Sequence, residues 1–67
     1  MGGERQRRDV IIEFHRVGNA VKVTAADPVT LVEVSIVGSP ASSEDTLRRA
    51  ALGKLDYVLA KREAQKQ

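Results

Sequence analysis

Three runs of alternating apolar residues leave this chain few ways to fold. In the first, Val10, Ile12 and Phe14 point one way while Ile11, Glu13 and His15 point the other. In the second, Val21, Val23 and Ala25 oppose Lys22, Thr24 and Ala26. In the third, Val32, Val34 and Ile36 oppose Glu33, Ser35 and Val37. A period of two is the signature of a strand with one face buried. The runs are separated by turn formers. Gly18-Asn19 suits a two-residue type II′ hairpin loop, because Gly takes the positive φ at the first central position. Asp27-Pro28 fixes a second turn: Pro sets φ, and Asp bonds its own backbone.

The two turns set a register. With Gly18-Asn19 as the first loop, Phe14 falls opposite Val23 and Ile12 opposite Ala25. With 27–30 as the second loop, Val23 falls opposite Val34, Ala25 opposite Val32 and Val21 opposite Ile36. Both hairpins then gather apolar residues on one face, and a one-residue slip would undo that. Gly38-Ser39-Pro40 ends the third run. Ser42 or Ser43 is placed to cap a helix, with Glu44 and Asp45 at its positive end. The helix is expected over about 43–63. Leu47, Ala51, Leu52, Leu55, Val58 and Leu59 line one broad side of it. Lys61, Arg62 and Lys66 suit the negative end.

The expected fold is therefore α+β: a three-stranded antiparallel β-meander with one C-terminal helix packed on one face, β-β-β-α. The single domain is placed at 10–64, after a basic tail at 1–9 expected to be disordered and before a frayed end at 65–67. The expected core is Val10, Ile12, Phe14, Val21, Val23, Ala25, Val32, Val34, Ile36, Leu47, Ala51, Leu55, Val58 and Leu59.

The residue inventory excludes most chemistry. Among 67 residues there is no Cys or Trp, and one each of His, Phe and Tyr. That leaves no disulfide, no thiolate nucleophile and no Cys-based zinc site. A lone His needs an orienting partner to act as a base. No catalytic residue, metal ligand or cofactor is expected, and the chain is read as a non-enzyme. No apolar run approaches the roughly 20 residues of a membrane span, and the charged start lacks the apolar core of a secretory signal. The expectation is a cytoplasmic protein with no membrane contact.

The segments 13–28 (EFHRVGNAVKVTAADP), 33–38 (EVSIVG) and 57–62 (YVLAKR) resemble a family of small bacterial proteins of unknown function. The resemblance implies a small strand-rich domain with a C-terminal helix. It implies no activity, so no functional residue comes from it. It also shows Gly after the Asp-Pro-Xaa-Thr turn, where this chain has Leu31.

Three surfaces remain as candidates. The outward sheet face is expected to carry the rows Glu13–Thr24–Glu33 and His15–Lys22–Ser35. Apolar rows are expected at its ends, Ile11–Ala26–Leu31 and Val17–Ala20–Val37. Glu13 and Glu33 have the spacing of a carboxylate pair, but a flat sheet supplies no pocket for one. The second surface is a stripe on the back of the helix: Ala50, Gly53, Tyr57, Ala60 and Ala64. Small residues at that spacing let two helices approach closely. Such a small chain is also short of core, since ordering about 60 residues at roughly 1.5 kcal/mol each nearly cancels what burial supplies. Self-association is one remedy. The apolar ends Ile11, Ala26 and Leu31 and the helix stripe are therefore read as interface, with a homodimer as the first partner. The third surface is basic: Arg48, Arg49, Lys54, Lys61 and Arg62, with Arg5, Arg7 and Arg8. Net charge is only +2, and the helix cations alternate with Glu44, Asp45, Asp56 and Glu63. A weak nucleic-acid-binding domain is thus the alternative reading, behind a non-enzymatic protein-interaction module.

Overall fold

In the computed structural model the described residues are 9–65. They form β1 (Ile11–Val17), β2 (Ala20–Ala26), β3 (Glu33–Gly38) and α1 (Glu44–Gln65). The strands make one antiparallel sheet in the order β1-β2-β3, so the architecture is β-β-β-α. The tail expected at 1–9 lies outside the described residues except for Asp9, as do residues 66 and 67 at the other end.

The first hairpin keeps the expected register, with Phe14 opposite Val23 and Ile12 opposite Ala25. Gly18 has φ +60° and Asn19 is not in the positive region, the type II′ pattern that matches strand twist. The second hairpin is a correction. Val23 meets Ile36, Ala25 meets Val34 and Val21 meets Gly38, a slip of two residues from the expected pairing.

The cause is the turn, which occupies 27–32 rather than 27–30. Asp27 is buried and organises it. Its Oδ1 accepts the Val29 N–H at 2.9 Å, and its Oδ2 accepts the Thr30 hydroxyl at 3.2 Å. Its own N–H donates to the Val32 carbonyl at 2.9 Å, and its carbonyl accepts the Leu31 N–H at 2.8 Å. Closing this ring puts Leu31 at φ +65°. A side chain in the left-handed region costs roughly 1–2 kcal/mol, and glycine avoids that cost. The Gly that the resemblance implies at this position would avoid the strain.

A slip of two residues leaves every side chain on its original face, so the core is unaffected. Val23, Ala25, Val32, Val34, Leu47, Ala51 and Leu55 are buried. Val10, Ile12, Phe14, Val21, Ile36, Val58 and Leu59 pack half-buried around them. These are the residues expected in the core, although Phe14 stands at its margin.

The helix starts at Glu44, one residue later than expected, and runs two residues further, to Gln65. Ser43 is its cap: the Thr46 N–H donates to Ser43 Oγ at 3.1 Å, and the Ser43 hydroxyl donates to Thr46 Oγ1 at 2.9 Å. α1 lies across β2 and β3 and leaves β1 at its margin. At the end of β3 the approach is very close. A Cβ on Gly38 would overlap the Leu47 side chain, so only glycine fits there without a shift. No helix among the described residues is long and apolar enough to cross a membrane.

Candidate interaction surface

The register decides what the outward sheet face presents. Its rows are Ile11–Ala26–Glu33, Glu13–Thr24–Ser35, His15–Lys22–Val37 and Val17–Ala20. Glu13 and Glu33 therefore stand in different rows, and the expected carboxylate pair across Thr24 does not form. In its place Thr24 Oγ1 and Ser35 Oγ share a hydrogen bond of 3.2 Å. Leu31 does not join Ile11 and Ala26, because it belongs to the turn, and Val37 stands beside Lys22 rather than Ala20. His15 Nε2 lies 3.3 Å from Glu13 Oε1 on the same strand, with both side chains exposed. Among the described residues no group of three His, Asp or Glu is arranged to hold a metal ion.

Large apolar residues remain exposed on this face: Ile11 by 53%, Val17 by 58% and Val37 by 71%. Ile11 and Val17 mark the two ends of β1. The helix stripe of Ala50, Gly53, Tyr57, Ala60 and Ala64 is exposed throughout, and nothing lies within 4 Å of a Cβ built on Gly53. The stripe covers no part of the chain's own core.

Among the described residues, most of the basic candidates are engaged within the chain. Arg48 and Arg49 both pair with Asp45, at 3.6 and 3.2 Å. The Arg48 guanidinium also lies 5.9 Å from the Phe14 ring centre, and the Lys61 ammonium 5.6 Å from that of Tyr57. Lys54 Nζ donates to the Ser35 carbonyl at 2.9 Å. Arg62 lines a groove of about 430 Å³ with Asp27, Val29, Thr30, Leu59, Ala60 and Glu63. A second groove of about 310 Å³ runs beside Phe14, His15, Arg16 and Val21 to Ser42, Glu44 and Leu47.

The profile of a domain of unknown function, DUF6898, matches residues 7–62 of the 67. The chain belongs to the DUF6898 family. No curated protein and no solved structure matches it. The DUF6898 match spans all three strands and α1 as far as Arg62.

One feature of this DUF6898 domain escapes the sequence reading, namely the contrast between its sheet edges. β3 has the helix over it and Lys54 on the outward carbonyl of Ser35. β1 contains no buried residue, and no strand pairs with its outer side among the described residues. The signal was available in the composition of 11–17. No Pro and no Lys interrupts that stretch, and those are the residues that most often blunt an edge. It was hidden because periodicity assigns residues to faces and says nothing about edges.

Proposed function

We propose that this chain is a non-enzymatic protein-interaction module that self-associates. The observation that carries the reading is the set of large apolar side chains left exposed on the outward sheet face, Ile11, Val17 and Val37. On the other face of the same strand, Ile12 and Phe14 are only half-buried against the core. A domain this small gains stability when a second surface covers such residues. Cytoplasmic residence is part of the same proposal. The nucleic-acid alternative has less support, because Arg48, Arg49, Lys54 and Lys61 already have partners within the chain. The outward face also offers no Phe, Tyr or Trp ring on which a base can stack.

The test is molar mass by light scattering across a concentration series, with heparin retention at low salt run beside it. A mass that rises above 7.3 kDa with concentration supports the module. Salt-sensitive heparin binding by a chain that stays monomeric would favour the nucleic-acid reading instead.

A further inference from the structure

The residues of β1 pair off in complementary fashion about its centre. About Phe14, Glu13 is balanced by His15, Ile12 by Arg16 and Ile11 by Val17. We infer that β1 pairs antiparallel with β1 of a second copy, about a two-fold axis at Phe14, joining two sheets edge to edge. This deepens the self-association reading and rests on it.

Three observations converge on that occupant. The first is the direction of the backbone groups. Val17 and Ala20 flank the two-residue loop, so they exchange the hydrogen bonds that close the hairpin. Bonded and non-bonded pairs then alternate along β1. Glu13 and His15 point their backbone groups toward β2, while Ile12, Phe14 and Arg16 point theirs out of the sheet. A two-fold axis at Phe14 sets Phe14 opposite Phe14 and Ile12 opposite Arg16, so every outward group finds a partner.

The second observation is charge. Only registers that pair even-numbered residues with even-numbered ones satisfy those outward groups. Moving the axis to residue 13 would set Glu13 against Glu13, and moving it to residue 15 would set His15 against His15. With the axis at Phe14, Glu13 of each copy faces His15 of the other. These are the two side chains that already approach to 3.3 Å within one chain. In the same register exposed Ile11 faces exposed Val17 at both ends of the strand. These are non-hydrogen-bonded positions, where side chains come closest. The arginine stem at 16 lies along Ile12 with its charged head in water.

The third observation is the opposite edge. Thr24 bonds toward β1, so Ser35, its neighbour on β3, points its carbonyl outward, and that carbonyl is taken by Lys54. With β3 guarded, pairing through β1 closes as a two-fold dimer and does not continue into a fibre.

The experiment measures the molar mass of the full chain by light scattering against concentration, with circular dichroism melting as the check on folding. Arg16→Pro removes an N–H that the β1–β2 hairpin does not use, and it is expected to raise the dimer dissociation constant roughly tenfold or more. Glu13→Lys is expected to weaken the dimer as well, by setting a lysine against His15. The double variant Glu13→Lys/His15→Glu again sets a donor against a carboxylate, with the positions exchanged, and is expected to recover the dimer. A dimer indifferent to both Arg16→Pro and Glu13→Lys overturns the β1 pairing while leaving self-association standing. Failure of the double variant to recover what Glu13→Lys lost also counts against it, and this arm holds even if the proline variant does not fold. A chain that stays monomeric at millimolar concentration overturns both readings.

Discussion

The two edges of this sheet are treated differently, although both strands are short and both alternate. β3 is fastened from above. Val34 and, just before the strand, Val32 are buried, Lys54 donates to Ser35, and Leu47 presses onto Gly38. β1 is one residue longer, has no buried residue and sits beside the helix rather than under it. The difference follows from the width of one helix. The buried positions of α1, Leu47, Ala51 and Leu55, form a narrow seam, and a single helix covers about 10 Å of a sheet whose strands are about 4.8 Å apart. Two strands fit beneath it and the third does not. A fold of one helix on three strands therefore keeps an open edge unless something else covers it.

If that contrast is right, mutations on the two halves should separate cleanly. Leu55 is the largest fully buried side chain beneath the guarded half. Leu55→Ala should lower the unfolding free energy by about 2–5 kcal/mol in a denaturant melt. Ile12→Ala, at the margin, should cost no more than about half of that under the same conditions. Equal losses would mean that the helix serves β1 as well as it serves β3.

Gly38→Ala sharpens the guarded side. The added methyl overlaps the end of the buried Leu47 side chain, which must shift to admit it. A loss of about 1–3 kcal/mol is expected, and a neutral result would show that the helix end moves freely off β3. Leu31→Gly acts in the other direction. Leu31 is 83% exposed at φ +65°, so the substitution removes strain and almost no burial. Thermal melting should show a gain of about 0.5–1 kcal/mol, the left-handed strain relieved less the added freedom of glycine in the unfolded chain. Lys54→Ala is the smallest. It gives up one exposed hydrogen bond, worth at most about 0.5–1 kcal/mol. Its sharper effect should be a tendency to form species larger than a dimer, seen by light scattering, because the β3 edge is then bare as well.

Strands, helix and core were readable in the sequence because each leaves a periodic trace. Alternation assigned Val23, Ala25 and Val34 to the inner face, and the Leu47–Ala51–Leu55 spacing assigned the helix seam. The second hairpin was not readable in full. Its length depends on Asp27, whose carboxylate gathers Val29 and Thr30, and on a leucine in a conformation that leucine seldom adopts. No pattern announces such a residue. The miss moved Glu33 out of the row of Glu13 and put Ser35 there, which changed the outward face without touching the core. The edges were the least readable part, since what guards β3 is a contact from Lys54, 19 residues further along the chain.

Residue-resolved amide hydrogen exchange at low and high protein concentration tests the open edge most directly. The N–H groups of Ile12, Phe14 and Arg16 point out of the sheet in a single copy and into a partner strand in a pair. They should exchange quickly in dilute solution and become protected as concentration rises, while Glu13 and His15, already bonded to β2, change little. Unchanged exchange at Ile12, Phe14 and Arg16 across that range, or new protection at Ser35 and Val37 instead, would contradict the account.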